Sequence, residues 1–496
     1  MASVLFTGAA CSAAGPAASK DHELVLAINA APPTFDPSAL DEGASQNVWS
    51  GLYDTLLTVD ENGALAPNAA SAFTYSEDKR TLTLTIQSGM TFSNGDAVDA
   101  EAVAATLNRT KRTPGPNQGK LSSVTSIEAT GKDTVVLRLS EPDATLLPDF
   151  TLALGVIGDP KTFKSKDIAL TPVGSGPYTL DTTETVTGST YVLNRRDDYW
   201  NPKAFPFKKV RIRVMDDPTA IYSALRAGEL NVGDIGVDQV DAVKAAGFRT
   251  TFNPLVAVGE LLFLDRAGTV QPELRDVRVR RAINMAFDRQ QYVTKLLKGT
   301  GEANDQIVGK GTPAYLDDLA GEYPYDPAAA KQLLAKAGYP DGFTVKMPST
   351  VLSTAYEPSI TQSLADIGIT VKWKTVPAQE IVSSLYTKQY PMAFWMLGAG
   401  FVQRDLEGLF APGGYMNVFN PSEPGLDALF KKAARASLKD TPAAYQDINR
   451  FLTENAYSAP IFSFGTYKAT KDGVKFTATG NRTTLLNSLR AYAAEN

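Results

Sequence analysis

Cysteine and histidine are almost absent from this chain of 496 residues, which has one of each, Cys11 and His22. A single cysteine rules out a disulfide within the chain. With only one imidazole, close to the start, Ser–His and Cys–His catalytic pairs and histidine-ligated metal sites are excluded from the folded body. A chain of this length buries a sufficient core without disulfides or metal ions.

Long hydrophobic runs and an excess of basic residues are also lacking. After residue 20 no apolar stretch approaches the ~18 residues needed to span a bilayer. The net charge is −6 and the sequence pI is about 5.2, so no basic surface is expected to attract nucleic acid. The sequences "GTG", "GKG" and "GAG" lack the third glycine of a dinucleotide fingerprint, and no GxxxxGK[ST] motif occurs. We therefore expect no cofactor, no metal and no nucleic-acid partner.

The first twenty residues have a composition of their own. Residues 2–10 are short, small and apolar, and they lead directly into Cys11 and a Ser/Ala/Gly/Pro-rich stretch in "FTGAACSAAGPAAS". This resembles a bacterial lipoprotein signal, in which the cysteine becomes the lipidated N-terminus. The pattern predicts a lipid anchor at Cys11 and a body located outside the cytoplasmic membrane. The alternative is a free, unmodified cysteine.

Alternating and helical patterns follow each other along the rest of the chain. Leu82, Leu84 and Ile86 alternate with polar residues, which predicts a strand with one buried face. A helix capped by Asp99 is expected next. The stretch "RDVRVRRAINMAFDRQQYVTKLLKG", residues 275–299, predicts one long amphipathic helix. Mixed strand and helix patterns at both ends of the chain predict α/β lobes.

A series of longer segments carries a resemblance to a known family. The chain resembles the family 5 extracytoplasmic solute-binding proteins of ABC importers, the oligopeptide-, dipeptide- and nickel-binding group. The matching segments follow the family's order and include "PVGSGPYTL", "LNRRDDYW", "IYSALRAGELNVGDI", "RDVRVRRAINMAFDRQQYV", "YDPAAAKQLLAKAGYPDG" and "QSLADIGITVKW".

The resemblance implies an α/β fold, a two-lobed clamshell like that of periplasmic binding proteins, with an extra inserted α+β domain. After the signal and tether at 1–20, residues 21–50, 173–253 and 466–496 are expected to form a central lobe. Residues 51–172 are expected to form the inserted subdomain and 254–465 the opposite lobe. Ligand is expected between the lobes, which close by hinge motion.

The same resemblance implies a function in transport and not in catalysis. The protein is expected to be a monomer that captures short peptides and delivers them to the permease of an ABC importer, which has cytoplasmic ATPases. Its expected location is extracytoplasmic, attached to the cell membrane through the lipid.

One stretch matches the family's amine-binding region. In peptide-binding members an aspartate there pairs with the ligand amine, and the resemblance places Asp405 in that role. The family usually has Gly-Trp and then Asp-Tyr, whereas this chain has Gly400-Phe401 followed by Asp405-Leu406. Arg404 is a candidate for an anionic ligand group, although it could point to solvent. Phe401 and Trp395 are candidates for walls of the cleft.

Three further candidates lie near the start of the folded body. Glu42, Gly43 and Ala44 match the place where family members run a strand-like segment past the ligand. They are therefore expected to contact it.

Other functions stay open at this point. The same receptor could take a non-peptide polar solute, either an oligosaccharide or a metal already wrapped in an organic chelator. A secreted hydrolase with a pair of carboxylates, or a sensory or adhesion protein on the same fold, are the remaining alternatives.

Overall fold

The computed structural model describes residues 23–377, 380–398, 400–478 and 485–495. Cys11 and His22 lie outside the described residues. The strands are β1 (Glu23–Ile28), β2 (Leu57–Val59), β3 (Leu65–Pro67), β4 (Ala70–Tyr75), β5 (Thr81–Ile86), β6 (Val124–Ala129), β7 (Thr134–Leu139), β8 (Tyr178–Leu180), β9 (Thr190–Arg195), β10 (Lys209–Val214), β11 (Val232–Ile235), β12 (Arg249–Phe263), β13 (Gly301–Ala303), β14 (Phe343–Ser349), β15 (Ile369–Thr375), β16 (Met392–Gly398), β17 (Ser458–Thr470), β18 (Val474–Phe476) and β19 (Tyr492–Ala494). The α-helices are α1 (Gln46–Leu52), α2 (Ala100–Arg112), α3 (Leu146–Asp149), α4 (Pro218–Ala227), α5 (Val240–Ala245), α6 (Val277–Met285), α7 (Arg289–Gln291), α8 (Pro327–Lys336), α9 (Glu357–Ala365), α10 (Ile381–Tyr386), α11 (Val402–Phe410), α12 (Pro424–Ala434) and α13 (Thr441–Glu454).

One large mixed sheet connects the two ends of the molecule. Its strand order is β16-β12-β17-β11-β1-β10-β9-β8, and β13 also pairs with β17. The strands β8–β11 and β1 form the sheet of the first lobe. The second lobe contains β13–β16, the adjoining halves of β12 and β17, and helices α6–α13.

A smaller domain is inserted into the first lobe. Its antiparallel sheet has the order β4-β5-β7-β6. Leu82, Leu84 and Ile86 of β5 are buried, which confirms the alternation read from the sequence. The side chain of Asp99 accepts a hydrogen bond from the N–H of Ala102 at 2.9 Å, so the predicted helix cap is also confirmed.

The predicted long helix of residues 275–299 is wrong, because the chain breaks after α6. The side chain of Asp288 caps a new short helix by accepting from the N–H of Gln291. The buried guanidinium of Arg289 donates to backbone carbonyls, including those of Asn284 and Tyr323. A regular helix through this point would move Arg289 away from these acceptors, and a buried guanidinium without acceptors is costly.

Two long strands, β12 and β17, run through both lobes. The first part of β12 pairs with Thr466–Thr470 and the second part with Ser458–Phe464, and the register shifts between Asn253 and Ala257. The predicted lobe boundaries, 253/254 and 465/466, fall at this irregularity and stay a prediction.

Among the helices of the described ranges, none combines the length and apolar character that crossing a membrane requires.

Gly465 lies where the two crossing strands change register. We expect Gly465→Ala to lower the free energy of unfolding by about 1–3 kcal/mol through overpacking. The added Cβ would lie 2.1 Å from the carbonyl oxygen of Asn253 and 2.7 Å from the Phe252 ring. Urea denaturation of this variant should be compared with Gly131→Ala, whose Cβ meets nothing within 4 Å. Equal midpoints for the two variants would contradict the expectation.

Candidate ligand-binding site

The segment between β16 and α11 joins the second lobe to the first. Phe401 is 9% exposed and belongs to the hydrophobic cluster of the first lobe, against which Ala44 also packs. Gly400 precedes it and is partly buried. The aromatic ring of Phe401 therefore reaches across the cleft, and α11 begins immediately after it.

Asp405 lies in the first turn of α11 and faces back toward Gly400. Its Oδ2 accepts a hydrogen bond from the Gly400 N–H at 3.3 Å. Burial raises the pKa of Asp405 to about 7, although the positive charge of Arg404 and the Gly400 N–H oppose the rise. This carboxyl group therefore sits in a poorly solvated place, where an ionised form needs a positive partner.

Arg404 forms ion pairs between the two lobes. Its Nη2 lies 3.1 Å and 3.0 Å from the two carboxylate oxygens of Glu42. Its Nε lies 2.6 Å from Oδ1 of Asp149, in the inserted domain. The structure thus brings Glu42 and Arg404 together. Both were predicted to contact the ligand, and here they form an ion pair with each other.

Lys120, in the inserted domain, also contacts the two acids that bind Arg404. Its Nζ lies 2.5 Å from Glu42 and 3.8 Å from Asp149. Burial alone would raise the pKa of Glu42, but the charges of Arg404 and Lys120 outweigh it and the pKa is lowered. Burial raises the pKa of Asp149 despite the same two cations. Two acids and two bases form a charge-balanced cluster, which we call the interlobe ion cluster: Glu42, Lys120, Asp149 and Arg404.

The predicted strand-like segment of Glu42, Gly43 and Ala44 is a turn that leads into α1. Gly43 has a φ of +86°, a left-handed conformation that an extended strand does not contain. The carbonyls of Gly43 and Ala44 accept hydrogen bonds from the N–H groups of Gln46 and Asn47. These carbonyls are occupied within the turn, so the segment does not present a strand edge to the cleft.

Trp395 is partly buried in β16, opposite a buried carboxyl group. Its register partner on β12 is Glu260, which has no exposed surface. Burial raises the pKa of Glu260 to about 8, and the negative charge of Asp405 adds to the rise. Glu260 is therefore a second titratable acid, and its pKa responds to the charge of the predicted one, Asp405.

A cavity of about 350 Å³ opens beside the segment from Gly400 to Gln403. Of the predicted contact residues, Gly400 and Phe401 line it, and further lining residues include Leu65, Leu255, Lys310 and Tyr445. Its volume lies within the usual range of pockets that hold small ligands. Gly400, which lines this cavity, donates its N–H to the carboxylate of Asp405.

Four residues of the site were missed in the sequence: Lys120, Asp149, Glu260 and Tyr415. The Tyr415 ring packs over Gly408 of α11, and burial together with the charge of Asp405 raises its pKa to about 12. Only Glu260 had a local signal, since it is the single charged residue in the apolar run "LVAVGELLFL". The others are ordinary polar residues until the fold brings them together.

The interlobe ion cluster should hold the ligand-free protein closed. We expect Arg404→Ala to destabilise the closed arrangement by about 1.5–3 kcal/mol, because charge-assisted bonds to Glu42 and Asp149 are lost. Small-angle X-ray scattering of ligand-free protein should show a larger radius of gyration. Arg450→Ala is the matched control, since Arg450 pairs with Asp318 and Glu454 within one lobe. An unchanged radius for Arg404→Ala would contradict the account.

Comparisons with known proteins place this chain in a family. Residues 64–411, more than half of the chain, match the model of the bacterial extracellular solute-binding proteins, family 5 middle region. The glutathione-binding protein GsiB of Salmonella paratyphi A is 26% identical over 372 residues, which cover 73% of this chain and 71% of that protein. The nickel-binding periplasmic protein of Escherichia coli K12 is 25% identical over 370 residues, covering 70% and 69%.

The structure of DppA from Helicobacter pylori, a periplasmic binding protein in complex with the peptide STSA, superimposes with a TM-score of 0.76 at 22% identity. The match covers 96% of this chain and 98% of that one. The predicted two-lobed α/β fold is thereby confirmed. The chain belongs to family 5 of the bacterial extracellular solute-binding proteins.

Proposed function

We propose that this protein is the extracytoplasmic substrate-binding component of an ABC importer and captures short peptides between its two lobes. The family membership supports the receptor role. Among its relatives, one is named for binding glutathione and a structural neighbour holds a peptide. The ligand is released unchanged to the permease, and no covalent step is part of the proposal.

The proposal of a peptide ligand rests on the position of the Asp405 carboxyl group. Its carboxyl group is partly buried at the interface of the lobes and accepts a hydrogen bond from the Gly400 N–H. An ionised carboxyl group in such a place gains from an ammonium group, because charge-assisted hydrogen bonds are about twice as strong as neutral ones. The amine of a peptide supplies that group, and the neighbouring cavity of about 350 Å³ offers room for small side chains.

The other predicted contacts take secondary roles in this proposal. Phe401 and Trp395 provide apolar walls, and Glu42, Gly43 and Ala44 form the rim of the first lobe. Arg404 is proposed to bind an anionic group of the ligand by exchanging its contact with Glu42. Such an exchange keeps the guanidinium paired while the ligand enters.

Asp405→Asn should weaken binding of trialanine more than tenfold. A charge-assisted bond contributes about 1.5–3 kcal/mol, and every 1.4 kcal/mol corresponds to about tenfold in affinity. Isothermal titration calorimetry measures the effect. Asp427→Asn is the matched control, because Asp427 lies in the first turn of α12 as Asp405 does in α11. Equal affinity of the Asp405 variant and wild type would disprove the amine assignment and leave the fold untouched.

The proposed attachment to the cell membrane rests on Cys11, which lies outside the described residues. Cys11→Ser should move the protein from the detergent phase to the aqueous phase when cells are partitioned in Triton X-114. Intact mass spectrometry should show the loss of the acyl groups. If wild type already partitions into the aqueous phase with an unmodified mass, the lipid anchor is wrong.

A further inference from the structure

Glu260 is a buried acid near the C-terminal end of β12 that the proposed function does not use. It has no exposed surface. Its Oε2 accepts a hydrogen bond from the Ser458 hydroxyl at 2.6 Å. Its Oε1 is buried and, within the described ranges, has no hydrogen-bond partner. Buried polar atoms are almost always paired, so an unpaired carboxyl oxygen requires an explanation.

The strand pattern shows which way Glu260 faces. Leu262, on the same face of β12 as Glu260, packs in one hydrophobic cluster with Leu406 of α11. Leu261 and Phe263 pack in the other cluster of the second lobe. Side chains two residues apart share a face of a strand. Glu260 therefore faces the helix that carries Asp405.

The groups around Glu260 are acidic and aromatic. Burial raises the pKa of Glu260, and the negative charge of Asp405 adds to the rise. Trp395 lies directly across from Glu260 on β16. The cation of Arg404 is bound to Glu42 and Asp149. Tyr415 is within reach of the charges of both Asp405 and Glu260. Two carboxyl groups and an aromatic face are the chemistry that recognises an ammonium or guanidinium group.

We propose that Glu260 is a second ligand-binding carboxylate, which holds the positively charged group of the ligand together with Asp405 and beside Trp395. The proposal rests on the proposed function and specifies its ligand: the group bound at this end carries a positive charge. A neutral isostere gains no charge-assisted hydrogen bond from either carboxyl group and should bind more weakly.

Proton release follows from this arrangement. With pKa values of about 8 for Glu260 and about 7 for Asp405, ligand-free molecules hold protons on these groups near neutral pH. When the ligand cation arrives, the Glu260 proton leaves to solvent and the carboxylate pairs with the cation. Affinity for a cationic ligand should therefore rise as the pH increases from about 6 to 8.

The test uses two probes, trialanine and propylammonium chloride, and two variants. Calorimetry at pH 7 in phosphate and in Tris, which differ in ionisation enthalpy, counts the protons released. We expect Glu260→Gln to bind both probes at least fivefold more weakly and to release fewer protons than wild type. Glu357→Gln is the matched control, because Glu357 also accepts a serine hydroxyl, from Ser353 at 2.7 Å, but lies on α9. It should behave as wild type.

The outcomes separate the two proposals. If trialanine binds wild type and Glu260→Gln equally, with equal proton release, this inference is overturned and the peptide receptor stands. If propylammonium binds in a Glu260-dependent way and trialanine does not bind, the peptide ligand is wrong and the cation subsite stands. Binding of neither probe overturns both.

Ligand-free unfolding checks that the variant is folded and that Glu260 titrates. A carboxyl group whose folded pKa is raised binds its proton more tightly in the folded state, so stability falls as the pH rises from about 5 to 8. Glu260→Gln should unfold cooperatively. Its melting temperature should fall less than that of wild type over this pH range. An identical pH profile would contradict the titration of Glu260.

Discussion

The paired strands β12 and β17 are the constraint on which the rest of the structure depends. They are hydrogen-bonded to each other in both lobes, with an irregular register between Asn253 and Ala257. At this point Gly465 approaches the Asn253 carbonyl so closely that a side chain would clash. The same sheet carries Glu260 on one strand and Trp395 on the next. The geometry of the lobes and the position of the buried acid are therefore set by the same pair of strands.

The charges in the cleft are balanced in two different ways. The interlobe ion cluster pairs Arg404 with Glu42 and Asp149, so ionised groups meet their partners across the lobes. Among the residues that the structure describes, neither Asp405 nor Glu260 has such an ion pair, and burial raises the pKa of both. Taking a charge out of water costs several kcal/mol, and a group without a partner holds its proton instead. A ligand cation replaces those protons in our account, which makes the second lobe the selective side of the cleft.

Local patterns in the sequence were enough to predict much of the fold. The alternation in β5 and the Asp99 cap depend on residues within a few positions of each other, and the structure confirms both. The break after α6 was missed because it depends on carbonyl acceptors from other elements around Arg289. Such contacts do not change the hydrophobic periodicity of the sequence, so the periodicity could not predict the break.

The candidate site was predicted less completely, for the same physical reason. Family resemblance pointed to Asp405, Arg404 and Glu42, and the structure brings the last two into contact. Lys120 and Asp149 join them from an inserted domain far away in sequence, which no spacing rule reveals. The turn at Gly43 replaces the expected strand because of one left-handed residue. Pairings between distant charges are decided by the fold, and they determine which groups remain free for a ligand.

The central claim is that the cleft holds a short peptide by its positively charged end. Native mass spectrometry of the purified protein, followed by mild denaturation and identification of the released molecules, tests it most directly. The account predicts a ladder of di- to pentapeptide masses with free amino termini. A single non-peptide mass, or peptides with blocked amines, would contradict it.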